Sequence, residues 1–151
     1  MTALSTVTTL LAHEAASPPL LRRFMPLFRG GELERRKVTM VPDVLDWLEA
    51  PVRSDAIAKA KAAARAHIAQ FIKGEKIDDL HFMKRIEDRR RKPSSFDHQV
   101  WAFRPLFNPQ HRYFGVFATK DWFVVCTKQS RDRLAEHDNR WHKEIDKTSR
   151  I

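Results

Sequence analysis

Apolar and polar positions change period along this chain. In the last third the period is two: Val100, Ala102 and Arg104 alternate with Trp101 and Phe103, and Arg112, Phe114 and Val116 alternate with Tyr113, Gly115 and Phe117. A third run, 122–127, is apolar almost throughout. These patterns predict three strands. The first ends in Arg104. The second carries apolar residues on both sides and is expected to be central. Pro105 and Asn108-Pro109 mark a loop between the first two, and Ala118-Thr119-Lys120-Asp121 marks a tight hairpin before the third.

Upstream the spacing is helical. Ile57, Lys61, Ala64, Ile68, Phe71 and Ile72 step by three or four residues, predicting a helix over 55–73 with one packing face. Ser54 suits its N-cap and Gly74 the residue past its end, where a left-handed conformation needs no Cβ. A shorter helix over 43–49 shows Val44, Leu45, Trp47 and Leu48, with Pro42 in its first turn and Pro51 ending it. Lys37-Val38-Thr39-Met40-Val41 reads as a short strand. Residues 77–86 fit a short helix or an irregular strand, and 133–147 has helical polarity through Leu134, Trp141 and Ile145. Pro18, Pro19, Pro26 and Gly30-Gly31 punctuate the start, so 1–35 reads as an extension, partly helical around 8–15 or flexible, ahead of a domain over 36–151. Its Ser, Thr, Leu and Arg content also fits a transit peptide. The expected class is α+β: a small antiparallel sheet of three to four strands packed against two N-terminal helices, with a C-terminal helix.

Composition then narrows the chemistry. Among 151 residues, 28 Lys and Arg face 19 acids, a formal charge of +9. That excess attracts polyanions, which puts nucleic acid or the ribosome first among partners. A single cysteine, Cys126, excludes an internal disulfide and Cys-rich zinc frameworks. Set in an apolar strand, it is expected to be a buried, inert thiol, compatible with a reducing cytosol. No apolar run approaches the roughly 20 residues of a membrane-spanning helix. His and Asp are scattered, so no metal is expected, and no Gly-rich phosphate loop or Ser nucleophile elbow occurs.

The cations cluster in sequence. Arg104 closes one strand, Arg112 opens the next, and Lys128-Gln129-Ser130-Arg131-Asp132-Arg133 follows the last. Arg89, Arg90, Arg91 and Lys92 form a charge run closed by Pro93, either a solvated loop or a phosphate contact. Arg104 and Arg112 have a structural alternative, ion pairs with Asp97, Asp121 or Asp132. Trp101, Phe103, Tyr113, Phe114, Phe117, Trp122 and Phe123 suit a core, with base stacking as the alternative. His67, His98 and His111 are expected at the surface.

Three pieces resemble the RelE/ParE toxin superfamily, nearest its RelE- and HigB-like members. They are Trp101-Ala102-Phe103-Arg104, His111-Arg112-Tyr113-Phe114-Gly115-Val116-Phe117, and the stretch from Phe123 through Arg133. The order strand, helix, helix, three antiparallel strands adds to the likeness, which covers about residues 38–140 and is better after Gln99. The resemblance implies the toxin of a type II toxin–antitoxin system: a cytoplasmic, metal- and cofactor-independent mRNA endoribonuclease that works on the ribosome and inhibits translation. Its partners would be mRNA, the ribosome and a cognate antitoxin. It implies a catalytic set of Arg104, Arg112, Lys128, Arg131 and His137, with Lys128 as cation or base, and it leaves Arg89, Arg90, Arg91, Lys92 and Arg133 for RNA binding. The same superfamily holds gyrase-directed toxins and inactive members, so a binding module without catalysis and a gyrase inhibitor stand as alternatives. The chain departs from the pattern in its long start and in its long connection over 105–110.

Overall fold

A computed structural model describes residues 3–76, 83–86 and 100–136 and the single positions 143 and 147. The order is α1 (Ala3–Ala15), β1 (Arg22–Arg23), β2 (Lys37–Met40), α2 (Pro42–Glu49), α3 (Asp55–Ile72), β3 (Met83–Ile86), β4 (Val100–Phe103), β5 (His111–Thr119), β6 (Trp122–Ser130) and α4 (Arg131–Glu136).

The strands form one six-stranded sheet in the order β1-β2-β6-β5-β4-β3. This corrects the expected sheet of three to four antiparallel strands: it is larger, and it is mixed. All pairs are antiparallel except β2 and β6, which run parallel with Lys37 opposite Trp122 and Met40 opposite Val125. A parallel pair needs a long crossover, and α2 and α3 lie within it. Two strands escaped the period count for physical reasons. β1 is two residues long and shows no alternation, while β3 is four residues at the end of a stretch whose apolar spacing fits a helix as well.

Local signals set the helix ends. Pro42 sits in the first turn of α2, and the Ala50 N–H donates to Asp46 O at its close. Ser54 caps α3, its Oγ accepting the Ile57 N–H at 3.4 Å. Gly74 takes φ +94° after α3, with the Arg35 side chain packed where a Cβ would stand.

Both faces of the sheet are covered. On one, α2 and α3 bring Val44, Leu45, Leu48, Ala64, Ile68, Phe71 and Ile72 onto Phe103, Tyr113, Phe123 and Val125. Phe71 meets Phe103 edge-on at 5.3 Å, and Phe103 meets Phe123 at 5.1 Å. Burying each such ring contributes on the order of 2–3 kcal/mol. On the other face α1 sets Leu10 against Leu21, Trp122, Val124 and Cys126, and Leu134 of α4 packs on Val100, Ala102 and Phe114. The first thirty-five residues thus supply Leu10, Leu21 and Phe24 to the buried set, and Glu14 of α1 pairs with Lys37 of β2. Phe103, Tyr113, Phe114, Trp122 and Phe123 all lie in the core, which removes them as stacking surfaces.

Candidate functional site

The register of β4 and β5 gathers the arginines. Ala102 lies opposite Phe114 and Phe103 opposite Tyr113, so Arg104, one residue on, comes to Arg112. On the other side of β5, Arg112 is opposite Gln129, two residues before Arg131 opens α4. The Arg131 N–H donates to Gln110 O at 2.9 Å, tying the start of α4 to the loop that precedes β5. Three guanidinium groups therefore approach one another at the strand ends.

Arg112 is the unusual member. It is 5% exposed, and its Nη2 donates to Gln110 Oε1 at 3.1 Å. Its Nη1 is buried with no hydrogen-bond partner among the described residues. No carboxylate among those residues pairs with it; Asp121, one of the expected partners, lies by Arg36. Burial first, then the charges of Arg104 and Arg131, push the guanidinium down to about 10. It stays protonated at neutral pH. A buried cation with one neutral acceptor and two cationic neighbours is costly as it stands, and an anion is what would offset that cost.

Beside the cluster opens a cleft of about 360 Å³ lined by Ala56, Asn108, Pro109, Gln110, Arg131 and Asp132. Gln110 belongs to its wall and also accepts from Arg112, so the buried cation and the open cleft share one side chain.

Lys128 is set apart from the arginines by the pleat. It pairs with Tyr113, on the side covered by α2 and α3, and its Nζ stands 4.3 Å from the Trp47 ring. Lys61 approaches the same ring at 4.6 Å, and His111 lies 4.8 Å from it, tilted. Lys61 is 2% exposed and donates to Ala50 O at 3.0 Å, while Arg65 donates to Leu48 O. These two cations of α3 satisfy carbonyls at the negative end of α2. Burial, then Arg65, lowers the Lys61 ammonium from its ordinary value.

His111 is half-buried, against the expectation of a surface residue. Its Nδ1 lies 3.2 Å from Pro109 O, an arrangement that assigns the proton to Nδ1 and leaves the Nε2 lone pair open. Burial is the largest influence on its pKa and lowers it; Lys128 and Lys61 lower it further, against the Pro109 contact and Asp132. The ring is neutral at pH 7. Histidine count and spacing gave no hint of this, because the environment comes from Trp47 on α2, far away in sequence. The signal for Lys61 was legible as the one lysine in an apolar stripe.

Of the remaining expected residues, Arg133 is exposed on α4. His137, Arg89, Arg90, Arg91 and Lys92 lie outside the described residues, as do His98 and Asp97. His67 is partly buried, edge-on to Phe103 at 5.8 Å. Cys126 is buried, its thiol pushed up to about 12 by that burial. Among the described residues no three His, Cys, Asp or Glu groups gather as metal ligands, and no helix is long and apolar enough to cross a membrane. No family model, curated protein or solved structure matches the chain.

Proposed function

We propose that this protein binds the phosphate backbone of RNA and cleaves it as the toxin of a toxin–antitoxin pair, with the ribosome presenting mRNA in the cytoplasm. The observation that carries the proposal is Arg112: a buried guanidinium with an unpartnered Nη1, between Arg104 and Arg131, behind a cleft wall. From Lys37 onward the order of strand, two helices and antiparallel strands also supports the RelE/ParE resemblance.

The residues suit metal-independent transesterification. Arg104, Arg112 and Arg131 neutralise the non-bridging oxygens as charge builds on the pentavalent phosphorus, the planar fork of Arg matching two oxygens at once. His111 faces the Trp47 side of β5, opposite Arg112, but reaches the cleft wall through Pro109, and its Nε2 is the base proposed to take the proton of the 2′-OH as the 2′-oxygen bonds to phosphorus. The bond from phosphorus to the 5′-oxygen breaks, that oxygen is protonated from solvent, and a 2′,3′-cyclic phosphate remains. Burial above all, with Lys128 and Lys61 adding to it, favours the neutral His111 ring and so leaves it ready to accept. A cognate antitoxin covering Arg131 would close the cleft.

The test is induced expression in a bacterial host, with primer extension on a reporter mRNA, for wild type and Arg112→Leu. Growth arrest with discrete cuts in the wild type, and neither in the variant, is the expected outcome. Healthy growth and intact mRNA with soluble wild-type protein would sink the toxin assignment. The second reading is then a module that holds RNA phosphates without cutting, which the same orphaned Nη1 favours.

A further inference from the structure

The loop over 105–110 has an unusual surface. Most aromatic rings of this region are packed away: Phe103, Phe114 and Phe123 are fully buried. Phe107 is 44% exposed and its neighbour Leu106 52% exposed. Single exposed apolar residues need no explanation, but this pair stands directly before Asn108, which lines the cleft beside Arg131. The loop is also held at its base. Pro105 is buried, Pro109 O contacts His111 Nδ1, and Gln110 O accepts from the Arg131 N–H. An anchored loop thus displays an aromatic ring, an aliphatic residue and a side-chain amide at the edge of the cleft beside the arginine cluster.

We infer that Leu106-Phe107-Asn108 is a subsite for one unpaired nucleobase of the strand whose phosphate sits at the Arg104–Arg112–Arg131 cluster. Phe107 stacks on the base face, Leu106 packs against its edge or sugar, and the Asn108 amide hydrogen-bonds to its polar edge. The chemistry matches how single strands are held: cations follow the backbone while aromatic rings take the bases. Backbone geometry keeps the parts together, since successive Cα atoms are about 3.8 Å apart and Phe107 adjoins a cleft-lining residue. A base inside a duplex has its faces covered by its neighbours, so the subsite selects single-stranded or locally unstacked RNA. It presupposes that the arginine cluster holds an RNA phosphate, and it adds which state of RNA is taken.

The experiment measures binding of the full chain to a fluorescent single-stranded RNA, to a duplex of the same length and to an abasic strand of the same length. Wild type, Phe107→Ala and Phe107→Trp are compared at one salt concentration. The expected result is that Phe107→Ala weakens single-strand binding between about fivefold and a hundredfold, the value of one stacked base, and leaves abasic-strand binding unchanged. Phe107→Trp retains affinity, and its added indole fluorescence is quenched by the single strand but not by the abasic one. If wild type binds the single strand and Phe107→Ala binds it equally well, or loses the abasic strand equally, the base subsite is overturned while the phosphate site stands. If wild type binds none of the three, the phosphate site itself fails and the subsite with it. Phe107 is half exposed, so an unchanged melting temperature of the variants is expected and excludes misfolding as the cause of any loss.

Discussion

Arg112 sets the proposed phosphate binding against stability within one side chain. Its charge is buried without an anion among the described residues, so replacing it by an apolar residue relieves that cost. Arg112→Leu is therefore expected to gain on the order of 1 kcal/mol in urea unfolding while losing RNA binding. A destabilised variant would mean that the guanidinium is better satisfied than its contacts indicate. Inorganic phosphate should raise the melting temperature of wild type progressively with concentration and leave that of Arg112→Leu unmoved. His111 makes a separate prediction about pH. Its pKa in the fold is lowered, chiefly by burial, below the ordinary 6.5, so in the acid range the unfolded chain binds the extra proton more readily. Its contribution to stability is complete above about pH 6.5 and is lost as pH falls through the folded value. As the proposed acceptor of the 2′-OH proton it should also give the cleavage rate an acid limb centred below 6.5, absent in His111→Ala. A limb at or above 6.5 would assign the base elsewhere.

Among the elements, β5 depends on a close approach at Gly115. A Cβ there would meet Val124 O at 2.2 Å and the Phe123 ring at 2.6 Å, beside the irregularity between Phe114 and Gly115. Gly115→Ala must push a backbone carbonyl aside and is expected to cost about 2 kcal/mol or more, read as a lower denaturation midpoint. An unchanged midpoint would mean that the β5–β6 pairing can slide. The same strand shows what the sequence disclosed. Alternation over 100–117 and the apolar run after it identified β4, β5 and β6 because each buries side chains against a helix or a neighbouring strand. Ser54 and Gly74 marked the limits of α3 because caps are local chemistry. By contrast β1 has too few residues to alternate, and the parallel β2–β6 pairing is a long-range choice that neither strand encodes alone. The arginines were legible at the strand ends since register carries them there. Trp47 was legible only as one apolar residue of a helix; its gathering of Lys61, Lys128 and His111 arises from packing across three elements.

At the scale of the whole molecule, helices cover both faces of the sheet, and the arginine cluster sits at one end of it. A formal charge of +9 steers polyanions to the protein from a distance, but only contacted phosphates displace counterions. Binding of single-stranded RNA should therefore weaken linearly in log–log plots against salt, with a slope of about −0.7 for each phosphate held. Arg131→Ala, at the cleft wall, should make that slope shallower by about 0.7. A substitution that weakens binding at every salt concentration without altering the slope would place Arg131 outside the phosphate contacts. The parallel pairing of Lys37–Met40 with Trp122–Ser130 has one more consequence, in time rather than in space. During synthesis the earlier strand waits, its neighbour unmade, until residues 41–121 and β6 itself have left the ribosome. β5, β6 and Arg131 follow one another in the chain, so the sheet and its cation cluster reach completion together.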